Sequence, residues 1–252
     1  MTATPQRPTP AGPPERRFGT RALLAAVALV LVAVPFALLL FLVQDKWSPL
    51  ARADAGARDD LHAYAVDHGS FVTAMSAVSD AGSTLAYLAV FAVVVGWLLW
   101  RRLPRLAVFV AVTVAGSSLL NQTVKVAVDR SRPVLPDPVA HASGMSFPSG
   151  HAQAAIVAYS VLLLVFLPVL RGAWRAAMVA VAVLMVLAIG FSRVALGVHY
   201  VSDVLAGYVL GAAWVAAMTA AFNAWRAERG QPKAAPLNEG LEPEAAPRLD
   251  PR

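Results

Sequence analysis

The sequence predicts an all-α, polytopic membrane protein with six transmembrane helices. Three observations carry that prediction. Hydrophobic residues make up 58% of the 252 positions against 14% charged, and mean hydropathy is +0.61, a balance that belongs to membrane chains rather than soluble domains. The apolar residues gather in runs long enough to cross about 30 Å of hydrocarbon at about 1.5 Å per helical residue. Lys and Arg collect in the termini and in short turns between alternate runs, the pattern of cytoplasmic loops.

The net charge of +6 and pI near 10.2 follow from those turns and tails. No basic face interleaved with aromatics appears, so the charge reads as membrane topology and no nucleic-acid partner is expected. The chain has no cysteine, which excludes disulfides, thiolate catalysis and cysteine metal sites.

Residues 1–20, rich in Pro and Thr with Arg7, Arg16 and Arg17, read as a disordered N-terminal tail. A membrane domain is expected over 21–225. Ala22 to Val43 is its first apolar run, too long for a signal-peptide core and therefore a retained helix, with Pro35 as a kink site. Gln44 to Ser70 mixes Asp45, Asp54, Asp59, Asp60 and Asp67 with Lys46, Arg52 and Arg58, and its apolar residues suggest an interfacial amphipathic helix that Phe71 to Val78 prolongs. Asp80 to Ser83 breaks it. Leu85 to Trp100 is the second span, and Arg101, Arg102 and Arg105 form a cationic turn. Leu106 to about Val124 is the third span.

The fourth and fifth spans, Ala152 to Leu170 and Ala176 to Phe191, form a hairpin around the basic turn Arg171 to Arg175. Asp203 to about Trp225 is the sixth. Its Gly207 and Gly211 are either a close-packing face or ordinary membrane-helix glycines, and spacing alone does not choose. Residues 226–252, charged and rich in Pro, Ala and Glu, read as a disordered C-terminal tail. Both termini are then expected in the cytoplasm, in a plasma membrane.

Three polar stretches interrupt the apolar pattern, and six spans put all three on the outer face. Lys125 to Pro133 sets Lys125, Arg130 and Arg132 at the end of a span stopped by Pro133, an arrangement suited to neutralising a phosphate and equally open to simple snorkelling. Asp129 is expected to pair with one of these cations. Phe147 to His151 places Ser149 and Gly150 at a helix N-terminus, where N–H groups and a hydroxyl favour an anion, although Ser149 could equally be a plain N-cap. In Ser192 to Asp203, a helix starting near Val198 would put His199 and Asp203 four residues apart on one face, so that the carboxylate holds Nδ1–H and leaves Nε2 free. An ionisable pair at a membrane boundary points to function.

Together these strings resemble the type 2 phosphatidic acid phosphatase superfamily, which also holds vanadium haloperoxidases and bacterial acid phosphatases. Its three-part signature is matched at Lys125, Arg132, Pro133, Pro148, Ser149, Gly150, His151, Ser192, Arg193, His199 and Asp203, with no departure, and the resemblance covers roughly Asp80 to Phe222. It implies that His199, oriented by Asp203, attacks phosphorus to give a phosphohistidine. His151 would protonate the leaving oxygen and then activate water. Lys125, Arg132, Arg193, Ser149 and the Gly150 N–H would bind the phosphate oxygens. Fixed cations would stand where other phosphatases use metal, so no cofactor is expected.

The expected partners are membrane lipids and a lipid phosphate substrate: phosphatidic acid, phosphatidylglycerol phosphate or a polyprenyl diphosphate such as undecaprenyl diphosphate. Specificity is expected in the Val134 to Met145 and Gln44 to Ser70 segments. A lipid-phosphate binder or transporter, and a vanadate-dependent haloperoxidase, are the alternative readings. Oligomeric state is left open.

Overall fold

The computed structural model describes residues 33–232 and 234–250, and among these all regular structure is helical. The N-terminal tail and the first half of the first apolar run lie outside the described residues. The rest of that run is α1, Ala33–Gln44. The interfacial segment forms α2, Ser48–Asp67, and α3, Gly69–Ala81. Three long helices and two shorter ones then build the bundle: α4, Thr84–Trp100; α5, Pro104–Val128; α6, Gly150–Phe166; α7, Gly172–Ala195; and α8, Val201–Glu228.

Five segments among the described residues are long and apolar enough to cross a membrane: Gly69–Trp100, Pro104–Val128, Gly150–Val169, Gly172–Ala195 and Val201–Glu228. This is a multi-pass membrane protein. The first segment is longer than the Leu85 to Trp100 span expected, because α3 runs into α4 with only a turn at Gly82 and Ser83 between them. The Ser83 hydroxyl caps α4 by accepting from the Ala86 N–H at 3.3 Å.

Helix direction alone sorts the ends of the bundle. α5 and α7 finish, and α6 and α8 begin, at the same end, so Lys125, Ser149, Arg193 and His199 are brought there by parity. The bundle packs by small residues, as membrane helices must when lipid is as apolar as leucine. A methyl group at Gly207 would lie 2.6 Å from the Ser149 carbonyl oxygen and 3.1 Å from the Ala152 Cβ; one at Gly211 would meet the Ile156 side chain and lie 2.9 Å from the Gln153 carbonyl oxygen. Both glycines are therefore buried contact points of α8 on α6. Polar side chains tie the remaining helices: Tyr208 donates to the Val186 carbonyl of α7 at 2.7 Å, and the Trp214 indole to the Thr113 carbonyl of α5 at 2.7 Å.

The C-terminal segment departs from the expected disordered tail. Two single-turn helices, α9 (Pro236–Glu239) and α10 (Ala246–Leu249), fold back on the end of the bundle opposite Lys125 and His199. Leu241, Ala245 and Leu249 are buried in the cluster formed by α4, α5, α6 and α8. Arg226, itself buried, donates to the Leu241 carbonyl at 2.6 Å and pairs with Glu244 at 2.8 Å. Apolar residues spaced every four positions were hidden among Pro, Ala and Glu, and composition alone does not reveal them.

Candidate active site

His199 sits in the short turn between α7 and α8. The left-handed Gly197 (φ +69°) ends α7, and the Val198 N–H bonds back to the Arg193 carbonyl at 3.2 Å, so the chain reverses within one turn. α8 starts at Val201 rather than near Val198, so His199 precedes the helix. The pair forms nonetheless, because Asp203 lies in the first turn and reaches back: its Oδ2 accepts from the Tyr200 N–H at 2.9 Å and lies 3.3 Å from His199 Nδ1.

On the other side of the ring, Nε2 lies 3.1 Å from an Arg132 Nη. Guanidinium can only donate and carboxylate only accept, so these two neighbours select the tautomer with hydrogen on Nδ1 and a lone pair on Nε2. Burial holds the imidazole far below its ordinary 6.5, at about 4; the Asp203 hydrogen bond and charge oppose this, and the Arg132 and Arg193 charges add to it. The ring is neutral at pH 7, with its Nε2 lone pair turned to Arg132.

The other signature residues surround it. Arg132 is fixed by the Ser143 and Gly144 carbonyls at 2.9 Å each and by the Val198 carbonyl at 2.8 Å; burial draws its pKa below the usual guanidinium value, against the charge of Asp203. Lys125 donates to the Met145 carbonyl at 2.5 Å. Arg193 is buried, bonded to the Ser79 hydroxyl of α3, and its Nε has no protein partner. Ser149 caps α6, accepting from the Ala152 N–H at 3.5 Å, and its own N–H donates to the Asp203 carbonyl at 2.9 Å. Gly150 is the first residue of α6, packed against Asn121, and His151 follows it within electrostatic reach of Arg193, His199, Arg132 and Lys125. Two imidazoles and three cations thus converge at one end of the bundle. Among the described residues, no group of three or more His, Asp or Glu side chains is arranged to hold a metal.

Sequence reasoning missed several participants. The expected partner of the first-stretch cations was Asp129. Instead, Asp129 takes the left-handed position that ends α5 (φ 49°), and Arg130 pairs with Asp203 at 2.5 Å and Asp54 at 3.0 Å. Ser202 bonds both Asp54 and Arg130, and Ser146 donates to Asp203 Oδ2 at 2.5 Å. A buried amide chain, Asn121 to Gln153 at 2.8 Å and Gln153 to the Ser117 carbonyl at 2.9 Å, joins α5 to α6 just below the site. None of these pairs is close in sequence, so no spacing could have signalled them. His62 of α2 lies 2.7 Å from the Pro136 carbonyl, which brings the two segments expected to set specificity into contact.

Fold and site together define a multi-pass helical membrane protein with cations gathered around a carboxylate-oriented histidine. Comparison with known proteins points the same way: residues 106–227 match the model of the PAP2 superfamily. Phosphatidylglycerophosphatase B of Bacillus subtilis is 43% identical over 96 residues, which is 37% of this chain and 46% of that protein. Lipid A 1-phosphatase of Rhizobium johnstonii is 33% identical over 117 residues, 43% of this chain and 44% of that protein. The matched region thus spans less than half the length of either relative. Among solved structures, the crystal structure of a transmembrane PAP2 type phosphatidylglycerolphosphate phosphatase from Bacillus subtilis aligns with a TM-score of 0.66 at 25% identity, covering 75% of this chain and 93% of that one.

Proposed function

We propose that this protein is a lipid phosphate phosphatase that works through a phosphohistidine at the extracytoplasmic face of a cytoplasmic membrane. The observation that carries the reading is the clamped His199 ring, neutral, with Nδ1 toward Asp203 and Nε2 toward Arg132. The names of the relatives, a phosphatidylglycerophosphatase and a lipid A 1-phosphatase, support a phosphate on a lipid as substrate.

In the first step the Nε2 lone pair attacks phosphorus, the P–O bond to the leaving group breaks, and His151 gives that oxygen its proton. Asp203 holds the Nδ1–H of the now cationic ring. In the second step His151 takes a proton from water, the water oxygen attacks phosphorus, and the P–N bond breaks to return phosphate and neutral His199. Lys125, Arg132, Arg193, the Ser149 hydroxyl and the Gly150 N–H face the charge that develops on the non-bridging oxygens. Three fixed cations supply the neutralisation, and the reaction as drawn proceeds in EDTA.

Release of phosphate from phosphatidylglycerophosphate, phosphatidic acid and undecaprenyl diphosphate in mixed micelles tests the reading. Turnover of at least one, inhibited by vanadate and abolished in His199→Ala, is expected. Tight lipid binding with no hydrolysis by the wild type would overturn it in favour of a binder.

The sidedness rests on the opposite end of the bundle, which carries Arg101, Arg102, Arg105, Arg171, Arg175, Arg226 and Arg229. The chain has no cysteine, so a single one introduced at Val134, 87% exposed in the site-end loop, is a clean probe. Val134→Cys should react with a membrane-impermeant maleimide added to intact cells; labelling only after lysis would reverse the orientation.

A further inference from the structure

Arg130, in the same stretch as Lys125 and Arg132, is turned to Asp54 and Asp203. Its two terminal nitrogens are taken up by carboxylates on different helices: Nη1 donates to Asp203 Oδ1 at 2.5 Å and to the Ser202 hydroxyl at 2.7 Å, and Nη2 to Asp54 Oδ2 at 3.0 Å. Its guanidinium carbon lies 4.2 Å from the centre of the Tyr200 ring, which covers one face. Asp54 is 2% exposed and Asp203 0%, so neither charge has solvent to rely on. Asp54 is further held by the Ser202 N–H at 2.9 Å and the Ser202 hydroxyl at 2.5 Å.

We propose that Asp54 and Arg130 are positioning residues for His199, forming with Asp203 a relay in which an interfacial helix outside the PAP2-matched region supplies the charge that keeps Asp203 effective. The inference rests on the phosphatase reading above. Asp203 must stay anionic while the His199 ring becomes cationic. Arg130 fixes Asp203 Oδ1, turning Oδ2 to the ring, but its charge alone would cancel that of Asp203 just where the cationic ring needs it. Asp54 offsets Arg130, so the trio presents one net negative charge to the imidazole. Asp54 also satisfies the half of the guanidinium fork that would otherwise be free to compete for the substrate phosphate. Lys125, Arg132 and Arg193 bind substrate in this scheme; Arg130 does not touch it.

A cavity of about 560 Å3 lies behind the relay, lined by Lys46, Trp47, Asp54, Asp129, Arg130 and Tyr200 among others. Truncating Arg130 therefore opens its place to a small cation from solvent, which allows chemical rescue.

The experiment compares kcat and KM on a micellar lipid phosphate for the full-length wild type, Asp54→Asn, Arg130→Lys, Arg130→Ala and the Asp54→Asn/Arg130→Ala double variant, with His199→Ala as the floor. Each single change is expected to lower kcat on the order of 10- to 100-fold, the usual scale for residues that orient a functional ligand from behind, with KM within about threefold. Lysine should not restore kcat, because an ammonium cannot bridge two carboxylates as the fork does. The double variant should be no worse than the poorer single, as members of one unit behave. Guanidinium at millimolar concentration should raise kcat of Arg130→Ala several-fold and leave His199→Ala unchanged.

An active wild type with Asp54→Asn and Arg130→Ala within twofold of it would overturn the relay alone. So would a loss appearing chiefly as raised KM, which would make Arg130 a phosphate ligand, or a folded Arg130→Ala that guanidinium does not rescue. Should Asp54→Asn fail to elute as a folded species, Arg130→Lys, which keeps the charge, decides. A wild type without turnover on any lipid phosphate would sink the phosphatase reading and the relay with it.

Discussion

His199 has two neighbours of opposite charge, and each does something the other cannot. Asp203 orients the ring and Arg132 keeps Nε2 unprotonated, while burial sets its pKa at about 4 against an ordinary 6.5. The linkage to stability has a definite sign. Between those two values the unfolded chain binds a proton that the folded chain excludes, so the contribution of this ring to stability is whole above pH 6.5 and is lost as pH falls toward 4. Thermal unfolding in detergent should therefore show a steeper loss of Tm from pH 6.5 to 4.5 for the wild type than for His199→Gln, whose side chain does not titrate. Parallel slopes would show that the ring is not held neutral. The motif residues were legible in the sequence, since Lys125, Arg132, Ser149, Gly150, His151, Arg193, His199 and Asp203 lie at short spacings next to span ends. Arg130 was visible only as one more cation: its partner Asp54 is 76 positions away.

The contact between α6 and α8 carries the two halves of the site, Ser149 to His151 on one helix and His199 to Asp203 before and on the other. Gly207 sets their separation. A methyl group there would come within 2.6 Å of the Ser149 carbonyl, a backbone atom that cannot rotate aside, and the same Ser149 donates its N–H to the Asp203 carbonyl. Gly207→Ala should cost about 1–3 kcal/mol of stability as an overpacked contact and lower kcat by pulling the two halves apart. Gly96 on α4 has nothing within 4 Å of its added methyl, and Gly96→Ala should leave both Tm and kcat at wild-type values or slightly raise Tm. Equal effects at the two positions would show that α8 can shift to accommodate the methyl group. Sequence spacing left Gly207 and Gly211 open between packing and chance, because a glycine carries no side chain by which to name its neighbour.

Across the molecule, the site end and the opposite end are built differently. The site end is a set of turns fixed by buried polar bonds to two carboxylates, Asp54 and Asp203. The opposite end is closed by the segment 234–250, which pairs with the two Nη atoms of Arg226 and buries Leu241, Ala245 and Leu249. Arg175 donates to the Asn238 and Leu237 carbonyls at 2.8 and 3.0 Å, tying the α6–α7 turn to the same segment. Deleting residues 234–250 would take the Leu241 carbonyl and the Glu244 carboxylate from the buried Arg226 guanidinium and leave it the Pro232 carbonyl alone, a change of the kind that costs about 3–5 kcal/mol. The truncated protein should unfold several degrees lower, with KM for its lipid unchanged because the site lies at the far end. An unaltered Tm would mean that the segment does not close the bundle.

Helical membrane class, the approximate spans and the convergence of three polar stretches follow from local pattern alone. A run of apolar residues either is or is not long enough to cross a bilayer, and the parity of successive spans decides which turns share an end. The pairing of Arg130 with Asp54 and Asp203, the use of Gly207 as a spacer and the docking of the C-terminal segment came from folding. Each joins atoms whose positions in the chain are unrelated, and a buried charge takes whichever opposite charge the packed helices bring within reach.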